Sequence, residues 1–178
     1  MSAQIPGPEL SAPDLRPGSA MRVSPAGPAR EVLVFELGGQ RYGLPTLDVT
    51  ELVRAVTITR LPDAPAFIEG VVNVRGRILP VLDIRARFHL PAKPLDPSDH
   101  FIVASAGARG VILRVDRALH LALVDESSVQ AARALGSSAT YVAGVAKLDG
   151  GLVLIHDLAT FLSAAEDAAL DAALQARL

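Results

Sequence analysis

The stretch that most restricts the fold is Gly70-Val71-Val72-Asn73-Val74-Arg75-Gly76-Arg77-Ile78-Leu79-Pro80-Val81-Leu82-Asp83-Ile84-Arg85-Ala86-Arg87-Phe88. Its two apolar runs, rich in β-branched residues, flank Arg75-Gly76, a pair that supplies the turn of a tight antiparallel hairpin. Ile84 and Phe88 then share one face of a short helix capped by Asp83. Asn73 and Arg75 are polar groups within, or at the lip of, an oily hairpin, where an unpaired polar group costs free energy. They are the first candidates for contact with something outside the chain. The unit recurs between Gly144 and Leu158: Gly70 matches Gly144, Gly76 matches Gly150, Asp83 matches Asp157 and Ile84 matches Leu158, all at one offset. This is an internal duplication. Asn73 and Arg75 become Lys147 and Asp149 in the second copy, so their chemistry belongs to one site and is not a demand of the turn.

The rest of the chain follows from that duplication. Val32 to Leu37 and Arg41 to Leu44, turned by Gly38-Gly39, form a first hairpin. Leu47 to Val53 reads as a short helix, with Val49, Leu52 and Val53 on one face and the acids Asp48 and Glu51 on its exposed side. Val56 to Ile58 reads as a short strand, and the prolines of Leu61 to Pro65 mark a loop. A proline-rich bridge at 91–99 separates the halves. Beyond it, His100 to Ala104 and Val111 to Val115 pair around a glycine-bounded turn. Leu119, Leu121 and Leu123, alternating with His120 and Ala122, predict a strand with the leucines on its buried face.

The fold class is therefore mainly all-β: two small barrels, each closed on itself to avoid open edges, sharing a core. Leu158, Leu162, Leu170, Leu174 and Leu178, at multiples of four in alanine-rich sequence, predict a C-terminal helix packed on its own barrel or on a partner. Residues 1–29, rich in Pro, Gly, Ser and Ala without apolar periodicity, are expected to be a disordered tail. The domain proper spans 30–164, with its subdomain boundary near 91–99, and 165–178 forms a helical extension.

Composition excludes several classes. The chain has no cysteine, so disulfides, thiolate nucleophiles and zinc-thiolate sites are ruled out together. A net charge of -2 and 4% aromatic residues give no footprint for nucleic acid or an acidic membrane surface. His89, His100, His120 and His156 lack metal-ligand spacing, Gly107 to Gly110 is too short for a phosphate loop, and no serine sits in a nucleophile elbow. No run approaches the roughly 20 apolar residues of a membrane span, and the first 30 residues lack the apolar centre of a secretory signal. The chain reads as a cytoplasmic protein without catalytic, cofactor or metal site, working through a surface. A ligand-binding barrel would instead show a formed pocket with convergent polar groups.

At this point the residues carry a family resemblance. Val34-Phe35-Glu36-Leu37, Tyr42-Gly43-Leu44, Val49-Thr50-Glu51-Leu52, Pro65 to Gly76 and Ile78 to Ile84 resemble the CheW family of chemotaxis coupling proteins, with a fainter echo in Val115-Asp116-Arg117-Ala118 and Tyr141 to Gly144. The resemblance spans residues 31 to about 163. It implies two five-stranded SH3-like barrels around a common core and a non-catalytic adaptor. Such an adaptor bridges the cytoplasmic tip of methyl-accepting chemotaxis receptors to the regulatory domain of the histidine kinase CheA, within membrane receptor arrays. Whether the pathway is flagellar or another chemosensory system stays open. Carried over, the receptor-binding positions are Val49, Glu51, Leu52, Asn73, Arg75 and Gly76. An internal ion pair between Arg75 and Glu51 is the competing role, and the two can coexist.

Overall fold

The computed structural model describes residues 27–131 and 141–176. Apart from residues 27–29, the tail expected at 1–29 lies outside them, as does Leu178. Among the described residues the chain forms β1 (Ala29–Leu37), β2 (Gln40–Pro45), β3 (Val49–Arg54), β4 (Ile68–Val74), β5 (Arg77–Leu82), α1 (Ile84–Arg87), β6 (His100–Ala106), β7 (Arg109–Val115), β8 (Arg117–Asp125), β9 (Gln130–Ala131), β10 (Val142–Leu148), β11 (Gly151–His156) and α2 (Ala164–Gln175).

Two sheets result, in the orders β8-β1-β2-β11-β10-β9 and β3-β6-β7-β5-β4. The β1–β2 hairpin of the first half thus joins β8, β10 and β11 of the second, and the β6–β7 hairpin joins β3, β4 and β5 of the first. Parallel pairing seals each exchange, Leu154 beside Tyr42 in one sheet and Val81 beside Ile112 in the other. This corrects the expectation that each half closes on itself. The bridge at 91–99 divides the repeats of the sequence, while each barrel draws strands from both sides of it.

Interleaving explains why β1, β6 and β7 are buried on both faces. Val32 and Val34 point into one barrel with Val124, Ala146, Val153 and Ile155. Val72, Leu79, Val81, Phe101, Val103 and Ile112 fill the other. The alternate residues, among them Leu33, Phe35, Leu37, Ile102, Leu113 and Val115, meet in a shared core between the barrels. The two barrels around a common core are as the sequence reading expected.

The duplicated hairpins share a register shift, a crossing glycine and an aspartate cap. Each first strand carries a register shift, between Ile68 and Gly70 and between Val142 and Gly144. A Cβ on Gly70 would fall 2.3 Å from the Thr59 carbonyl oxygen, and one on Gly144 would fall 2.8 Å from that of Gln130. Both glycines are there because a crossing segment lies against the strand. Asp83 accepts the Ala86 N–H at 3.1 Å, and Asp157 accepts that of Ala159 at 2.9 Å. α2 opens with a reciprocal capping box between Ser163 and Glu166. It buries Leu170 in the shared core, so the terminal helix packs on its own barrels.

Three local expectations fail for identifiable reasons. Residues 47–53 hold only the 3-10 turn Thr46–Asp48 and then β3. Val49 and Val53, four apart, also share a face of a strand in which Val49, Glu51 and Val53 point inward and Leu52 points out. Pairing with β6 from Ala104 to His100 decides between the two. Asp48 and Glu51 are consequently half-buried rather than exposed. Val56 to Ile58 is no strand; the segment makes a single bridge, Thr59 to Val71. In β8 a register shift opposite Val34 and Phe35 moves Leu119 to the inner face with Ala122 and Val124. Leu121 and Leu123 are left 57% and 65% exposed, the reverse of the expected burial.

Candidate functional site

β3 and β8, each at one edge of its sheet, face each other across an open groove of about 460 Å³. Val49, Glu51 and Leu52 form one wall, and Leu119, His120 and Leu121 the other. Leu47, 95% exposed, stands on the turn before β3. So much exposed leucine on neighbouring elements is unusual for a surface that meets only water.

A fixed ion pair borders the groove. Arg75 Nη2 lies 2.7 Å from Glu51 Oε1, with the arginine side chain 81% exposed and the glutamate 22%. Arg75 and Gly76 both have positive φ, 51° and 84°, as a two-residue turn matched to strand twist requires. Glycine adopts this geometry freely, whereas arginine does so at a cost of about 1–2 kcal/mol. Asn73 Oδ1 accepts the Gly76 N–H at 2.8 Å and locks the turn. Two roles thus separate among the six residues singled out by sequence. Val49, Glu51 and Leu52 line the groove and Arg75 joins it through Glu51, while Asn73 and Gly76 shape the turn that carries Arg75. The ion pair posed as a competing role exists, and it leaves most of the arginine surface available.

The opposite wall, Leu119 to Leu121, was missed because the leucine alternation pointed to burial. One signal could have found it: Leu121 follows its hairpin at the same distance as Leu52 follows the first, so an exposed Leu52 predicts an exposed Leu121.

A charged network ties the β7–β8 junction to α1 and to the bridge at 91–99. Asp116 sits where the chain passes from β7 in one barrel to β8 in the other. It accepts the Gly38 N–H at 2.7 Å and pairs with Arg85 and with Lys93, the latter at 3.1 Å. Lys93 also meets buried Asp99 at 2.6 Å, and Arg114 meets Glu69 at 3.0 Å. Burial works to raise the Asp116 pKa, but the Gly38 amide, Arg85 and Lys93 outweigh it and hold the carboxyl below its usual range.

At the end of β11, His156 is fully buried among Tyr42, Phe88 and Phe161. Its Nδ1–H donates to the Tyr141 carbonyl at 3.0 Å, and burial pushes its pKa down to about 4. It is neutral and structural. Among the described residues no group of His, Asp or Glu is arranged to hold a metal ion, and no helix is long and apolar enough to cross a membrane.

Two interleaved barrels presenting an apolar groove edged by a fixed ion pair define a protein-recognition scaffold. Residues 31–166 match the CheW-like domain family. The chemotaxis protein CheW of Klebsiella aerogenes is 31% identical over 144 residues, covering 80% of this chain and 87% of its relative. That of Treponema pallidum is 27% identical over 142 residues, covering 76% and 84%. The crystal structure of scaffolding protein TtCheW from Thermoanaerobacter tengcongensis is similar with a TM-score of 0.66 at 32% identity, over 72% of this chain and 88% of that one. The chain belongs to the CheW-like family and is a chemotaxis scaffold.

Proposed function

We propose that the protein, without catalysis of its own, couples the cytoplasmic tip of methyl-accepting chemotaxis receptors to the regulatory domain of the histidine kinase CheA, working in the cytoplasm at receptor arrays. The β3–β8 groove takes the receptor, a helical hairpin whose apolar ridge beds against Val49, Leu52 and Leu121. Arg75, held out by the Asn73–Gly76 turn, presents its guanidinium fork to a receptor carboxylate. Glu51 orients that fork before binding, which lowers the ordering cost.

The observation that carries this reading is Arg75 itself. A strained left-handed backbone places a mostly exposed arginine beside an apolar groove, and the second copy of the turn has Asp149 there instead. The ligand-barrel alternative finds no support, because the groove is open and mostly apolar. The test mixes the purified chain with a receptor cytoplasmic fragment and the kinase regulatory domain, separately and together. Binary binding to each and a ternary complex are expected; failure to bind the receptor fragment would refute the assignment of the groove.

A further inference from the structure

Among the described residues, the duplication leaves one place unfilled. On the β3-β6-β7-β5-β4 barrel, Arg109 at the start of β7 pairs with Asp167 and Asp171 of α2, which fastens the helix beside that strand. Val111 and Pro80 on that face are buried. Hairpin registers identify the matching positions on the other barrel. Gln40 opposes Leu37 as Arg109 opposes Ala106, and Leu152 opposes Lys147 as Ile78 opposes Asn73. Gln40 and Tyr42 therefore stand where Arg109 and Val111 do, and Leu154 where Pro80 does. The first repeat supplies only a short helix here: α1 is four residues long, and Leu90 beyond it lines the face before the proline-rich bridge begins.

What remains is an apolar groove of about 730 Å³, lined by Gln40, Tyr42, Leu90, Lys147, Leu152 and Leu154 among others. Its floor continues the shared core that α2 closes on the other side, since Leu90 and Leu154 pack against the same cluster as Leu174. Leu154 is half-buried where its counterpart Pro80 is buried, while Leu152, 60% exposed, stands as open as its counterpart Ile78 at 56%. Lys147 carries the only formal charge along this lining and has no acidic partner among the described residues. α2 itself bears Glu166, Asp167 and Asp171 and no basic residue.

We infer that this face binds an acidic amphipathic helix from a partner protein, seated on one barrel as α2 is seated on the other. Leucines of the incoming helix cover Leu154 and the open side of Leu152, and an acid in its first turns meets Lys147. The site is separate from the β3–β8 groove and does not depend on receptor coupling.

The probe is the chain's own helix, a fluorescein-labelled peptide of residues 163–176, stapled through the exposed positions 168 and 172 to hold its conformation. Fluorescence anisotropy at low salt against the intact protein should show saturable binding. Lys147→Glu and Leu152→Asp, both at exposed positions, should each weaken it at least tenfold, while Arg109→Gln and Arg75→Glu leave it unchanged. Absence of saturable binding overturns the inference. So does binding that responds to Arg109→Gln instead of Lys147→Glu, which means the peptide only displaces α2 from its own seat. Dimerisation of the protein that Lys147→Glu abolishes assigns the face to a second copy and overturns it equally. Receptor-fragment binding, which should survive Lys147→Glu, reports separately on the β3–β8 groove.

Discussion

Replacing Arg75 with asparagine separates a recognition role from a structural one. The change removes an ion pair whose arginine is 81% exposed, and such pairs contribute about 0–1 kcal/mol. It also relieves part of the roughly 1–2 kcal/mol that a residue other than glycine spends at a φ of 51°, because asparagine tolerates that region. The two effects nearly cancel. Stability should stay within about 1 kcal/mol of the parent, a shift in Tm of no more than about 2–4 °C in a domain of this size. Receptor binding should respond differently. A charge-assisted hydrogen bond to a carboxylate contributes about 1.5–3 kcal/mol, so Arg75→Asn should weaken binding by roughly 10- to 100-fold. Thermal unfolding and calorimetric titration with a receptor tip fragment measure both quantities on one sample. A fall in Tm beyond about 8 °C would make Arg75 a structural tie, and unchanged affinity with an intact fold would remove it from the interface.

Leu121→Glu places a charge on a side chain that is 57% exposed, so it should cost less than about 1 kcal/mol of stability yet weaken receptor binding at least about tenfold; titration beside urea unfolding checks both. His156 binds a proton in the unfolded chain near pH 6.5 but in the folded protein only near 4. Its contribution to stability is thus lost as pH falls from about 6.5 toward 4, by about 3 kcal/mol in all. Urea midpoints across that range should fall in the parent and flatten in His156→Phe, and equal slopes in the two would contradict the buried neutral imidazole. Gly70→Ala would drive a Cβ to within 2.3 Å of the Thr59 carbonyl and should cost more than about 3 kcal/mol, seen as a large loss of Tm; near-parental stability would show that the crossing segment yields easily.

Most of the architecture could be read from the chain because it rests on local signals repeated at one offset. Each hairpin carries its own turn pair, its own glycine at the crossing and its own aspartate cap, and the structure honours all three in both copies. The exchange of hairpins between halves was out of reach. Strand pattern records which face is buried, but not which distant strand lies alongside, and β1, β6 and β7, buried on both sides, give no alternation to trace. The failure at 47–53 is of the same kind, since Val49 and Val53, four apart, share a face in a helix and in a strand alike, and only pairing with β6 puts Leu52 on the opposite face. In β8 a single extra residue at the shift near Leu119 reversed the faces of the leucines and hid half of the groove. On the first wall, Arg75 stands out because the Asn-Val-Arg-Gly turn places a charged residue where a neutral turn former would be easier to accommodate, whereas Val49, Glu51 and Leu52 are named through the family resemblance.

The central claim is that the β3–β8 groove and its arginine meet the receptor. Isotope-labelled protein titrated with a receptor cytoplasmic tip fragment, followed by amide and methyl chemical-shift mapping, tests it most directly. The largest changes should fall on Val49, Glu51, Leu52, Arg75 and Leu121, with Lys147 and Leu152 on the other face unmoved. A map centred elsewhere, with the groove silent at saturation, would contradict it.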